Sequence, residues 1–250
     1  MSPAPVALRG LVVDWGGVLT AGLDEAMATW ARTDGVDYRH FRDVMQAWVG
    51  RRGSDDGRGD AQGNDAPTGP VEVLEEQPDD GPAGTSPVHR LERGEVSPAE
   101  FERELATALA AQGSRVEAPG LLRRLLSGLE DLDPRMVALV RRAREAGIRT
   151  ALLSNSWGDH YPDELWNGLF DAVVISGRVG MRKPERRIFT HAADLLGLAP
   201  AQCVMVDDLP HNVRGAVGAG MVGVLHRSYP ETLLELEALF DLRLGEPGQS

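Results

Sequence analysis

Five short apolar runs, separated by helical patterns, limit the possible folds more than any other feature of the sequence. They are rich in Val, Ile and Leu without strict alternation, which is typical of parallel strands covered on both faces. The runs are LRGLVVD (8–14), IRTALLS (148–154), FDAVVIS (170–176), AQCVMVD (201–207) and GMVGVLH (220–226). Strands that alternate with helices predict an α/β fold, a Rossmann-like, doubly wound parallel sheet with right-handed crossovers.

Start and stop signals define the helices between these strands. One helix is predicted to begin with Asp133 as its N-cap and Pro134 as its first residue, and to stop at Gly147. A second helix is predicted from Pro184 to Gly197, and a short one follows the fourth strand and closes at Gly220.

One long connection lacks strands of this quality. Residues 21–132 contain two helical patterns that meet near Gly35 and a later helix that opens with a capping box at Ser97. We therefore expect a helical cap domain over 21–132, inserted into an α/β core formed by 1–20 and 133–250. Within the cap, residues 51–88 are dominated by Gly, Pro and Asp, which predicts a disordered insert or, alternatively, a docking segment.

Composition excludes several classes of protein. The net charge of −12 argues against nucleic acid and anionic membranes as partners. No apolar run approaches the roughly 18 residues that span a bilayer, and the N-terminus lacks the pattern of a signal peptide. A single cysteine, Cys203, excludes an internal disulfide framework and predicts a cytoplasmic location. The sequence does not indicate an oligomeric state.

Polar residues follow the predicted strands where each strand ends. The carboxyl ends of parallel strands meet at one edge of the sheet, where ligands bind. Any one of these residues could be a cap or turn residue, but three carboxylates with one lysine require a cation. The residues are Asp14, Ser154, Asn155, Asp207, Asp208 and Lys183, the last being the only lysine in the chain.

These residue types predict phosphoryl chemistry with Mg²⁺, which prefers hard oxygen ligands. Asp14, a backbone carbonyl beyond it, and Asp207 or Asp208 can supply the ligands. The hydroxyl of Ser154 and backbone N–H groups of WGGV (15–18) suit phosphoryl oxygens. Lys183 neutralises charge, and Asp14 is then placed to attack phosphorus and form an aspartyl-phosphate.

The order of these motifs resembles the haloacid dehalogenase superfamily of hydrolases. The matching segments are VVDWGGVLT, ALLSNS, GMRKPERRIF and VMVDDLPHNVRGAVGAG. GMRKP and the spacing of Asp207, Asp208 and Asn212 are similar to the phosphatase domain of soluble epoxide hydrolase.

The resemblance implies a Mg²⁺-dependent phosphohydrolase that acts on a small phosphorylated metabolite. It implies Asp14 and Lys183 as catalytic residues. The implied metal ligands are Asp14, Gly16, Asp207 and Asp208, and the implied phosphate contacts are Gly17, Ser154, Asn155 and Lys183.

Gly16 departs from the family pattern. Phosphatases of the superfamily usually carry a second aspartate there as general acid and base. A water or cap residue takes that role, or the step is slow, or the chain is a non-catalytic binding or interaction protein. Dehalogenation is disfavoured because the acidic pair is present and tyrosine is absent at 16. A phosphonoacetaldehyde hydrolase would need a second lysine.

The cap should determine the substrate, but the sequence only suggests candidates. Aromatic, histidine and arginine residues near the expected mouth can pack, face solvent or contact substrate. They are Trp48, Arg51, Arg52, His89, Arg90, Trp157, His160 and Tyr161.

Overall fold

A five-stranded parallel sheet lies at the centre of the structure, a computed structural model that describes residues 6–49, 86–129, 131–158, 161, 166 and 168–245. The strand order is β3-β2-β1-β4-β5, and all neighbouring strands are parallel. The strands are β1 (Gly10–Val13), β2 (Arg149–Ser154), β3 (Ala172–Ile175), β4 (Cys203–Asp207) and β5 (Val222–Leu225). The predicted α/β fold and its five strands are confirmed.

Helices cover both faces of the sheet and fill the long connection between β1 and β2. The connection contains α1 (Leu23–Asp34), α2 (Tyr38–Val49), α3 (Pro87–Glu92), α4 (Pro98–Ala111) and α5 (Leu121–Leu125). The others are α6 (Pro134–Glu145), α7 (Ser176–Val179), α8 (Arg186–Leu195), α9 (Pro210–Gly218) and α10 (Tyr229–Phe240). The last helix, α10, contacts α6 and β5.

Successive residues of β1 show why its sequence is apolar throughout. Leu11 and Val13 lie in one hydrophobic cluster with residues of α6 and α10, whereas Val12 lies in another with residues of α8 and α9. Side chains alternate between the two faces of a strand, so a central strand covered on both faces needs an unbroken apolar run. The sheet therefore holds the backbone of β1 rigidly up to its carboxyl end.

One predicted helix start is confirmed and another is wrong. Asp133 caps α6 as predicted, accepting a 2.8 Å hydrogen bond from the N–H of Arg135. The helix predicted from Pro184 begins instead at Arg186. The preceding backbone is held elsewhere, because the side chain of Asn155 binds both the N–H and the carbonyl of Lys183.

The helices of the long connection form a hydrophobic cluster of their own. Its centre contains Trp30, Phe41 and Phe101, and α4 begins with the predicted capping box at Ser97. The two ends of the connection lie side by side, since Thr20 and Leu132 form an antiparallel bridge. The chain therefore leaves the sheet and returns to it at neighbouring positions.

Most of the predicted disordered insert over 51–88 lies outside the described residues. Its last three residues are described, and they begin α3. The hydroxyl of Ser86 accepts a 3.4 Å hydrogen bond from the N–H of His89, and Val88 is buried. The predicted boundary therefore extends too far, because capping and burial draw this end of the segment into the helical cluster.

A buried polar contact joins α3 to the sheet domain. One carboxylate oxygen of Glu92 lies 2.5 Å from Nε of Arg182, and the other accepts a 3.1 Å hydrogen bond from the indole N–H of Trp157. The carbonyl of Glu92 accepts a 2.6 Å bond from the hydroxyl of Ser176. Because Arg182 directly precedes Lys183, this contact fixes the helices relative to the predicted catalytic lysine.

Within the described part of the chain, every helix is too short or too polar to cross a lipid bilayer.

We predict that Glu92→Ala destabilises the protein by about 3 kcal/mol, because it removes a carboxylate that lies against the buried guanidinium of Arg182. The matched control is Glu145→Ala, since Glu145 is exposed at the end of α6 and its loss should change stability by less than about 0.5 kcal/mol. Urea unfolding measures both free energies. Equal values for the two variants would show that the buried contact adds nothing to stability.

Candidate active site

A buried lysine joins the carboxyl ends of the two central strands. Asp14 follows β1, and Asp207 ends the neighbouring strand β4. Nζ of Lys183 lies 2.8 Å from Oδ1 of Asp14 and 2.6 Å from Oδ2 of Asp207. All three residues are at least nine-tenths buried. The strand order reverses between β1 and β4, so this rim is where ligands bind in doubly wound sheets.

The rim carries more negative charge than its lysine can balance. Burial raises the pKa of Asp14 to about 7; the charge of Lys183 opposes this rise and that of Asp207 adds to it. Burial and the charges of Asp14 and Asp207 raise the pKa of Asp208 to about 8. Burial alone would lower the pKa of Lys183, but the two carboxylates beside it outweigh this and raise it. A further cation would relieve the repulsion between the carboxylates.

The two acids of the predicted pair differ in their surroundings. Asp207 is fully buried, and besides Lys183 it accepts hydrogen bonds from the N–H of Leu209 at 2.9 Å and from Nδ2 of Asn212 at 3.0 Å. The carboxylate of Asp208 is only partly buried and accepts no side-chain hydrogen bond from the described residues. Asp207 thus orients the lysine, whereas Asp208 keeps oxygen lone pairs available to a ligand.

Oxygen atoms of the three acids are close enough to share one metal ion. One oxygen each from Asp14, Asp207 and Asp208 lies within 4.8 Å of the others. Carboxylate oxygens are the ligands that Mg²⁺ prefers, and the uncompensated charge favours a divalent cation. These residues therefore fit a magnesium site, and the backbone carbonyl of Gly16 remains a predicted fourth ligand.

Asn155 lies at the rim, and its side chain binds the backbone of Lys183. Oδ1 accepts a 2.8 Å hydrogen bond from the N–H of Lys183, and Nδ2 donates a 3.0 Å bond to the carbonyl of the same residue. Both ends of the amide are therefore used to hold the backbone of Lys183. The side chain thus helps to place the lysine, and a phosphate contact of Asn155 stays a prediction.

Gly17 lies in the turn after β1, and its phosphate contact stays a prediction. Its N–H donates a 3.1 Å hydrogen bond to the carbonyl of Ala21, so this group is engaged within the turn. Gly17 has a φ of +73°, and a Cβ placed there would lie 2.0 Å from Oδ2 of Asp208. Glycine is needed because Asp208 packs directly against the backbone. At Gly16, by contrast, a Cβ would have no heavy atom within 4 Å.

Ser154 ends β2 beside an aromatic side chain. Its Oγ lies 2.9 Å from the hydroxyl of Tyr161. The Tyr161 ring meets Trp15 edge-on at a centroid distance of 5.9 Å, and Trp166 lies 5.7 Å away. Burial raises the pKa of Tyr161 above its ordinary value, so its hydroxyl stays protonated. From the sequence, Tyr161 is only one of several candidate substrate contacts near the expected mouth.

The other residues predicted near the mouth of the site do not form one group. The rings of Trp48 and Trp157 pack against Phe101, at centroid distances of 5.5 and 5.9 Å, and Trp157 also binds Glu92. His89 is buried and Arg90 is half-buried on α3. Arg51, Arg52 and His160 lie outside the described residues. Trp48 therefore packs within the helical cluster, whereas Trp157 contributes to the contact between the helices and the segment after β2.

Comparison with known proteins decides the family. The family model for haloacid dehalogenase-like hydrolases matches residues 8–220. The chain belongs to this family of hydrolases. It is 29% identical over 155 residues to a sesquiterpene phosphatase of Aspergillus oryzae, covering 60% of this chain and 77% of that protein. It is 40% identical over 122 residues to a phosphoserine phosphatase of Thermus thermophilus, covering 46% and 48% respectively.

The resemblance inferred from the motifs is thereby confirmed. A bifunctional epoxide hydrolase 2 from Rattus norvegicus also matches, at 32% identity over 119 residues, 44% of this chain and 22% of that protein. The fold is similar to that of a haloacid dehalogenase family enzyme from Bacteroides thetaiotaomicron. The TM-score is 0.57 at 18% identity, covering 88% of this chain and 95% of the other.

We predict that Gly17→Ala lowers the free energy of unfolding by about 2 kcal/mol. The added Cβ is strained at positive φ and collides with the Asp208 carboxylate. Gly16→Ala is the matched control, and it should cost less than about 0.5 kcal/mol because its Cβ has free space. Thermal and urea unfolding of both variants measure the difference. If the two variants were equally stable, Asp208 would not pack against Gly17.

Proposed function

We propose that this hydrolase is a Mg²⁺-dependent phosphohydrolase that acts on a small organic phosphate through an aspartyl-phosphate on Asp14. The supporting observation is the buried contact of Lys183 with Asp14 and Asp207, beside a third carboxylate within 4.8 Å. The phosphatase relatives from Aspergillus oryzae and Thermus thermophilus support the same reaction class.

The contacts of Asp14 distinguish its two oxygens. Oδ1 accepts hydrogen bonds from Lys183 and from the N–H of Trp15, the latter at 2.6 Å. Oδ2 is then the oxygen that attacks phosphorus, so that an O–P bond to Asp14 forms while the bond to the leaving oxygen breaks. Water afterwards displaces the phosphoryl group, which releases inorganic phosphate and restores the carboxylate.

The remaining rim residues have supporting roles in this proposal. Asp14, Asp207 and Asp208 would hold Mg²⁺, with the Gly16 carbonyl as a further ligand. When bound, the ion neutralises charge on the phosphoryl group as it transfers. Ser154 donates its hydroxyl to a phosphoryl oxygen. The enzyme from Bacteroides thetaiotaomicron was crystallised with magnesium and inorganic phosphate, which agrees with this assignment.

We also propose that residues 21–132 are a cap that lies over this rim, with the core formed by 1–20 and 133–250. The separate hydrophobic cluster of its helices and the bridge between Thr20 and Leu132 support the division. A cap of this kind would exclude water from the rim and contact the organic part of the substrate. The chemistry of Asp14 would then be general, and the cap would select the metabolite.

Asp14→Asn should reduce phosphate release at least about 1,000-fold, because an amide cannot attack phosphorus in place of the carboxylate. We would assay sugar, nucleotide and small-acid phosphates with Mg²⁺ and with EDTA. Activity of the unmodified protein should disappear with EDTA and return when Mg²⁺ is added back.

The matched control is Asp194→Asn, since Asp194 is exposed on α8 and was not predicted as a site residue. It should retain full activity. Phosphate release that survives Asp14→Asn would exclude the proposed phosphoenzyme. Halide release from haloacids that survives EDTA would instead indicate a dehalogenase.

Gly16→Asp should raise kcat by about 100-fold, because it restores a general acid where the structure leaves space for a side chain. Gly16→Asn is the matched control: it has the same size, cannot transfer the proton, and should give no such increase. Steady-state rates on the best substrate measure both. A lower kcat for the aspartate variant would mean that another group already performs this step.

Gly16 also motivates a second candidate, a haloacid dehalogenase-like protein that binds a phosphorylated metabolite or a protein without efficient turnover. The same assays separate the two. Binding of phosphorylated compounds, measured as a rise in melting temperature, with no release from any of them, would favour this candidate.

A further inference from the structure

The hydroxyl of Tyr161 has no role in the function proposed so far, yet it lies against a residue of the site. It is 2.9 Å from Oγ of Ser154, the residue proposed to bind a phosphoryl oxygen. The ring is held against Trp15, which directly follows the nucleophile Asp14, and against Trp166. The aromatic contacts place this hydroxyl in a fixed position beside Ser154.

Hydrogen-bond directions around Ser154 follow from the chemistry of the groups. An unprotonated phosphoryl oxygen only accepts hydrogen bonds, whereas a serine hydroxyl has one proton and can accept on its oxygen. If Ser154 gives its proton to the phosphoryl group, its oxygen can bind Tyr161 only as an acceptor. Tyr161 must then be the donor, and a buried phenol that stays protonated can fill that role.

We propose that Tyr161 is a positioning residue for phosphate binding. Its hydroxyl donates to Oγ of Ser154 and thereby turns the Ser154 proton toward the phosphoryl oxygen. Chains of hydrogen bonds polarise one another, so the Ser154 hydroxyl also becomes a stronger donor. This inference rests on the proposed phosphohydrolase function and extends it to a residue outside the four motifs.

The experiment compares Tyr161→Phe with Ser154→Ala and with the double variant. Phenylalanine keeps the ring and its contacts with Trp15 and Trp166, so the melting temperature should change little. Calorimetry with inorganic phosphate, in the presence of Mg²⁺, should show binding about three- to tenfold weaker for Tyr161→Phe. Its KM should rise by a similar factor while kcat changes less.

The double variant tests the coupling. If Tyr161 acts through Ser154, the double variant should bind phosphate no more weakly than Ser154→Ala alone. Tyr229→Phe is the matched control, because it makes the same chemical change on α10. This variant should bind phosphate like the unmodified protein.

Failure of this inference can be told apart from failure of the proposed function. Unchanged phosphate binding in Tyr161→Phe, or losses that multiply in the double variant, would overturn the role of Tyr161 while Asp14-dependent activity persists. If the unmodified protein neither binds phosphate nor releases it from any substrate, both proposals are wrong.

Discussion

The ammonium group of Lys183, buried between the carboxylates of Asp14 and Asp207, is the contact on which the rest of the site depends. A buried lysine is costly unless carboxylates surround it, and neighbouring carboxylates repel one another unless a cation lies between them. Adjacent strands β1 and β4 meet both requirements because their parallel pairing brings the two acids to the same edge. Asn155 completes the arrangement by binding the N–H and the carbonyl of Lys183.

The same segment of chain connects this charge cluster to the helices above it. Arg182 is buried against Glu92 of α3, so consecutive residues contact the helical part and the rim of the sheet. Any displacement of α3 relative to the sheet would have to separate this ion pair or move Lys183 with it. Consecutive residues of one segment therefore contact both parts of the structure, and the position of Lys183 is tied to the packing of α3.

Much of the fold could be predicted from the sequence, because strands covered on both faces must be apolar throughout. The capping box at Ser97 and the cap of α6 at Asp133 were predictable as well, since each depends on residues within one helical turn. The start of α8 was predicted two residues too early. Its true start depends on Asn155, whose bond to the Lys183 backbone links residues 28 apart.

The sequence by itself determined the parallel sheet, the family, and the set of polar residues at the strand ends. These properties depend on local periodicity and on motif order, which the chain carries directly. Only the tertiary structure decided which polar groups remain available to a ligand. In the structure the N–H of Gly17 donates to the carbonyl of Ala21, and the hydroxyl of Tyr161 lies within hydrogen-bond distance of Ser154. Among the described residues, the carboxylate of Asp207 accepts more hydrogen bonds than that of Asp208. The physical reason is that hydrogen-bond partners are chosen by the packing of distant segments, and their spacing in sequence carries no signal.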